Sequence, residues 1–271
     1  MRAAVRTEYR KVVSTRLWWI LLIAMAVYMA FLAGVMAWAL TAGSTTTTGP
    51  DGGQEDLVLS AEAVVRTVYT IAVSFGYVFP LVVGALSVSS EYRHQTITPT
   101  FLAEPRRTVV LLAKLVAGAV LGVLFGAVGT AATVAAGAGV LTALGEPTML
   151  DLASTWRTLG LSVLALAVWS LLGVAFGLVL TNQVAVVVVL LAFTQFVEPV
   201  LRFVLALTSW GGGVAAYLPG AAGEAISGGS FYAETGLSEL LPWWQGLLVL
   251  LGYTVVLAVV GRVTTFRKDV T

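Results

Sequence analysis

Two charges stand inside an otherwise apolar run. They are Glu198 and Arg202, in the stretch LLAFTQFVEPVLRFVLAL. The acid precedes the base by four residues, the favourable order for an ion pair on a helix. A lone charge at the centre of a membrane helix costs about 2.5–3.5 kcal/mol on insertion scales, and pairing lowers that cost. Thr194, Glu198 and Arg202 share one helical face with Gln195 beside it, and Pro199 is expected to bend the helix there. Two readings stand: a structural pair near an outer interface, with Arg202 snorkelling, or a polar patch lining a pathway. A second polar stripe, Thr67, Thr70, Ser74 and Tyr77, recurs at helical spacing in another apolar run. Hydroxyls on a helix can bond back to their own backbone, so this stripe is either ordinary packing or a second wall of the same pathway.

Other chemistry finds little footing. A phosphate-binding loop of the P-loop kind needs Gly-Lys followed by Ser or Thr. Lys11, Lys114 and Lys268 instead follow Arg10, Ala113 and Arg267, so the chain is not expected to hydrolyse ATP in that manner. There is no cysteine, which removes disulfides, thiolate metal sites and cysteine nucleophiles. One histidine, His94, gives no metal or proton-relay cluster and reads as a solvated loop residue. A membrane enzyme would gather acids, histidine or lysine at one face, and no such cluster is apparent.

The elements that must carry these residues follow from composition. The 271 residues are 58% hydrophobic and 11% charged, whereas a soluble domain averages roughly 25% charged. So few charges cannot cover a water-facing surface, and the chain reads as an all-α membrane protein. A bilayer core needs about 20 apolar residues as helix. Six runs meet that: Leu17–Thr41, Val64–Val88, Val109–Leu144, Leu159–Leu180, Val184–Thr208 and Trp243–Val263. The third exceeds a span and is expected to start near Arg107 or to tilt. The first has a basic start and the triplet Ala37-Trp38-Ala39, but its apolar run is too long for a signal peptide and reads as a retained span. No inverted repeat or unwound mid-membrane helix is evident in the sequence, which weighs against a secondary transporter using Glu198 as an ion site.

Lysine and arginine set the expected orientation. Arg2, Arg6, Arg10, Lys11 and Arg16 precede span one; Arg93, Arg106, Arg107 and Lys114 lie at or near the loop after span two; Arg262, Arg267 and Lys268 close the chain. The intervening loops hold acids instead, among them Asp51, Glu55, Asp56, Glu62, Glu146, Asp151, Glu224, Glu234 and Glu239. Both termini are therefore expected in the cytoplasm. The net charge of +1 gives no reason to expect nucleic acid.

Residues 1–16 read as an interfacial helix, with Arg2, Arg6 and Arg10 on one face and Val5, Tyr9, Val12 and Val13 on another; residues 17–271 form the six-span domain. The loop GSTTTTGPDGGQED reads as a mobile connector. The segment 209–242, with WGGGVAAYLPGAAGEAI and LSELLPWW, is too broken to span and is expected to place short helices in the outer leaflet. Gly118, Gly122 and Gly126 in span three, and Gly173 and Gly177 in span four, recur at the spacing that lets membrane helices approach closely.

The segment 89–108, with SSEYRHQTITPTFLAEPRR at Ser89–Arg107, is polar between two apolar runs. Pro99 and Pro105 are expected to break it into a short helix around Glu91–Thr98 or Thr100–Glu104, with Phe101 and Leu102 as an apolar knob. At about twenty residues it is longer than most helix connections, about 2–8 residues, and reads as a docking element.

Three stretches resemble the ABC-2 type permeases, the membrane subunits of ATP-driven bacterial exporters. TEYRKVVSTRLWW, with Glu8, Lys11, Thr15 and Arg16, resembles that family's amphipathic N-terminus. EYRHQTITPTFLAEPRRTVVLLAK, with Glu91, Arg93, Thr96, Pro105, Arg106 and Lys114, resembles its first cytoplasmic loop, although many relatives have glycine where this chain has Gln95. YLPGAAGEAI, Tyr217 to Ile226, resembles the outside segment before the last span in actinobacterial members. The resemblance implies six spans, N-in and C-in, in a bacterial plasma membrane, and no cofactor in this chain. ATP and Mg would be bound by a separate ATPase, present in two copies, and a second permease subunit would complete a homo- or heterodimer among membrane lipid. It further implies a coupling helix near Glu91, Arg93, Thr96, Phe101, Pro105 and Arg106. Thr70, Ser74, Tyr77, Thr194, Gln195, Glu198 and Arg202 would lie along a path between spans two and five. Re-entrant helices would gate it at Tyr217, Leu218 and Pro219. The mostly apolar faces of that path point to a lipophilic or amphiphilic cargo, such as a drug or lipid; the alternatives are a transporter driven by an ion gradient and a non-transporting signalling or assembly subunit.

Overall fold

In lipid a backbone must bond its own N–H and C=O groups, so long apolar runs fold as helices. The computed structural model describes residues 2–42, 46–48, 54–56, 60–208, 210–230, 233 and 239–265. Asp51, Glu234, Arg267 and Lys268, counted above for orientation, lie outside the described residues, as do most of the loop at 43–59 and parts of 209–242. Six helical segments are long and apolar enough to cross a membrane, in agreement with the six expected spans and with a multi-pass membrane protein.

The chain opens with α1 (Arg2–Val13) and the first span, α2 (Leu17–Ala42). A short antiparallel ribbon, β1 (Thr46–Thr48) with β2 (Gln54–Asp56), follows. This small departure from an all-helical chain suits the β-branched threonines. Span two is made of α3 (Ala61–Ser74) and α4 (Val78–Arg93), then comes the short α5 (Ile97–Ala103). Span three is α6 (Arg107–Ala143), which starts at Arg107 as expected, and span four is α7 (Ala153–Val179). Span five joins α8 (Gln183–Ala192), a π-helical turn (Phe193–Val197) and α9 (Glu198–Ala206). The short α10 (Gly211–Ala215) and α11 (Pro219–Ser227) precede span six, α12 (Trp243–Thr264).

Three sequence expectations need correction. Span two is not one helix but breaks at Phe75–Tyr77. Pro80 has no N–H for the carbonyl of Gly76, which accepts from Phe79 instead at 3.1 Å. Span five is likewise irregular through its π-helical turn, so two spans do have non-α backbone within the membrane-length segments. Pro99 does not break the loop helix. It is the third residue of α5, where an N–H has no partner within the helix to lose.

Helix α7 runs through the middle of the bundle and packs on α3, α4, α6, α11 and α12. Its neighbours approach closely because the facing residues are small. A β-carbon at Gly122 of α6 would fall 2.7 Å from the Ala167 Cα of α7, and one at Gly173 of α7 would run into the backbone carbonyl of Leu81. The glycine stripes noted in the sequence are thus the α6–α7 and α4–α7 seams. Spans two and four are 72% buried over their most apolar windows, against 22% for spans one and five. Span five is therefore peripheral, and its attachment to the bundle depends on specific contacts.

Candidate functional site

Two buried polar clusters lie at opposite ends of the bundle. The first joins α1, α4, α5 and α6. Lys114 sits two turns into α6 with its side chain 1% exposed. A buried ammonium demands carboxylates, and it has two: Glu8 Oε2 at 2.8 Å and Glu91 Oε1. Lys11 donates to Glu8 Oε1 at 2.9 Å, to Glu91 Oε1 at 3.0 Å and to the Thr100 hydroxyl at 2.9 Å. All three of its N–H groups are thereby used. Two lysines and two glutamates give a neutral set. Burial alone would push the Glu8 carboxyl up, but Lys114 and Lys11 hold it below the usual carboxylate value. Burial alone would likewise lower Lys11, and Glu8 and Glu91 keep it above the usual amine value. The cluster fastens the amphipathic α1 and the short α5 to spans two and three.

Around it stand the other residues expected in the docking loop. Arg93 is exposed and donates to Gln183 at the start of α8, at 3.4 Å. Thr96 precedes α5. Phe101 is half-buried, with the Arg107 guanidinium 5.3 Å above its ring. Leu102 is 78% exposed. Pro105 and Arg106 separate α5 from α6, and Arg106 pairs with Glu104 at 2.9 Å on the surface. Lys114 was legible as an orientation charge and as part of the permease-like loop, but the expectation of no cluster of acids and lysines at one face is corrected by this set. The signal was its position inside VVLLAKLV, where an unpaired ammonium would be costly.

The second cluster ties peripheral span five to α11. Glu198 Oε1 accepts from Arg202 Nη2 at 2.8 Å and Nε at 3.2 Å, and from the backbone N–H groups of Gly220 at 2.6 Å and Ala221 at 3.3 Å. Those amides open α11, whose positive end favours a carboxylate. Gly220 is required here, since a β-carbon would strike both Glu198 and Arg202. Arg202 Nη1 donates to Glu224 Oε2 at 2.9 Å, and that oxygen also accepts from the Ser230 hydroxyl. Glu224 appeared in the sequence only as an outside acid; its place in an otherwise uncharged helix was the missed cue.

A cavity of about 210 Å³ adjoins this cluster. Ser74 and Tyr77 of span two and Thr194, Gln195, Glu198 and Arg202 of span five all line it, so the two expected walls do meet. Thr70 does not line it; its hydroxyl returns to the Arg66 carbonyl at 2.8 Å. The irregular backbone explains the meeting. The Glu198 N–H bonds back to Phe193 O in the π-helical turn, and Pro199 has no N–H to offer Thr194 O. That carbonyl accepts the Tyr77 hydroxyl at 3.2 Å. Both interrupted spans thus face the same space. The expected gate residues sit close by: Leu218 caps α11 and Pro219 begins it, while Tyr217 is half-exposed and its carbonyl accepts the Tyr253 hydroxyl at 3.1 Å.

Among the described residues no group of histidine or acidic side chains could hold a metal ion. No protein-family model matches the chain, and no curated protein matches it.

Proposed function

We propose that the chain is the permease subunit of an ATP-driven exporter of the ABC-2 type, pairing with a second permease and docking a separate ATPase on α5. The observation that carries this reading is the buried ion cluster at Lys114. A force applied to α5 reaches spans two and three through Lys11, Glu91 and Lys114 rather than dissipating in a loose loop. Leu102, exposed on α5, is the apolar contact offered to the motor. The path then lies between spans two and five, with α11 as its outer closure.

The test is co-expression with an ABC ATPase from the same genome, followed by co-purification and ATP-driven transport. Leu102→Glu is expected to weaken the complex by about tenfold or more, as removal of an apolar anchor and introduction of an unpaired charge do at interfaces. Its exposure means the bundle itself should stay intact. Unchanged assembly and transport in Leu102→Glu and Arg93→Ala would remove α5 as the docking helix.

A further inference from the structure

The cavity between spans two and five has an apolar neighbour. A second cavity, of about 250 Å³, is lined among others by Leu81, Trp169, Leu172, Phe176, Val189 and Val256. Thr194 lines both. Tyr77 of the polar cavity stacks on Trp169 of the apolar one, with ring centroids 4.3 Å apart. The two spaces therefore form adjoining halves, one charged and one greasy. At about 210 and 250 Å³ they are small for a lipid with two long chains.

The sign of the polar half follows from its charges. Among the described residues, the charged side chains lining it are Glu198, Arg202 and Glu224, two acids to one base. Glu198 spends one oxygen on four donors. Its other oxygen, Oε2, has no hydrogen-bond partner among the described residues, although Glu198 is 1% exposed. Ser74 Oγ is in the same condition at 6% exposure. A buried carboxylate oxygen without a donor is costly, and a cation or N–H donor in the cavity would satisfy it.

We infer that the paired cavities bind a single-tailed amphiphilic cation, its ammonium head against Glu198 Oε2 and Ser74 Oγ and its apolar body against Val189, Leu172 and Val256. This deepens the export reading by naming the class of cargo, and as a statement about cargo it rests on that reading. An ammonium head also occurs in zwitterionic lipids, so the test separates the two sources.

The experiment is equilibrium dialysis of radiolabelled n-octyltrimethylammonium against the purified full chain in maltoside micelles, with protein-free micelles subtracted. Saturable binding is expected. Octyl sulfate, with the same tail and opposite charge, should compete at least about tenfold less well. Short-chain phosphatidylcholine should also compete weakly. Glu198→Gln removes the carboxylate that faces the cation while keeping an acceptor for Gly220, and is expected to weaken binding about tenfold or more. Val189→Trp fills the apolar half and should reduce binding of the octyl cation while sparing tetramethylammonium. Equal competition by octyl sulfate on the unaltered chain overturns the proposal even if Glu198→Gln fails to fold. So does a monodisperse Glu198→Gln protein that binds as well as the original, and equal competition by phosphatidylcholine reassigns the site to lipid and overturns it too. No ATPase is present, so a negative result speaks to the ligand and leaves the docking of a motor protein to the Leu102→Glu test.

Discussion

Gln95 adopts φ +55°, in the left-handed region where a side chain is costly. Its surroundings show why the chain goes there. The Gln95 N–H bonds Tyr92 O at 3.3 Å and the Thr96 N–H reaches back to Glu91 O at 2.9 Å, the paired bonds that close a helix before a left-handed residue. This turn swings the chain from α4 into α5 beside Glu91, and glycine is the residue that suits it. Gln95→Gly is expected to raise stability by about 1 kcal/mol, read as a higher denaturation midpoint in detergent; a lower midpoint would show that the side chain itself holds the turn. Lys114 gives the opposite prediction. Lys114→Met leaves buried Glu8 and Glu91 to share Lys11 alone, and breaking such a set by removing one partner costs about 3–5 kcal/mol. Adding Glu8→Gln should restore part of that loss, and failure of any rescue would mean the cost lies in packing rather than charge. At this scale the sequence was partly legible. The Glu198–Arg202 pair could be read because both partners sit one turn apart. The Lys114 set could not, because its carboxylates lie 106 and 23 residues away and only the fold brings them together.

Helices were easier to read than their irregularities, for a physical reason. Burying an uncharged run of about 20 residues in lipid leaves helix as the economical solution, so the spans showed directly in the hydropathy. The break at Phe75–Tyr77 and the π-helical turn at Phe193–Val197 depend on how Pro80 and Pro199 displace backbone bonds, which proline alone signals only as a bend. Seams between helices were legible in the glycine spacing, and they support a paired prediction. Gly122→Leu would wedge α6 from the Ala167 backbone of α7, and is expected to destabilise by about 1–3 kcal/mol or more. Gly139, on the same helix, meets nothing within 4 Å, so Gly139→Leu should be neutral or gain up to about 1 kcal/mol of helix propensity. Comparing their denaturation midpoints separates a close seam from a general intolerance of bulk; equal losses would mean the α6–α7 approach is not what the glycine serves.

At the scale of the molecule, the two polar clusters mark opposite ends of one stiff frame. Helices α1 and α5 stand where α4 and α7 finish and where α2, α6 and α8 begin; α10 and α11 stand where α9 finishes and α12 follows. Helix α7 packs against both the α4–α6 end and α11, so movement imposed on α5 has a continuous packed route to the closure over the polar cavity. That route matters for export only if α5 faces the compartment holding ATP. The clustering of lysine and arginine around α1 and α5 predicts that it does. The chain has no cysteine, so sidedness can be read with single substitutions and no background. Thr98 of α5 and Gly213 of α10 are both exposed and lie at opposite ends, which suits Thr98→Cys and Gly213→Cys. A maleimide that cannot cross the membrane is expected to label Gly213→Cys in intact cells and Thr98→Cys only after permeabilisation. The reverse pattern would put α5 outside, out of reach of any ATPase, and leave the Lys114 cluster as a structural clasp with no motor to serve.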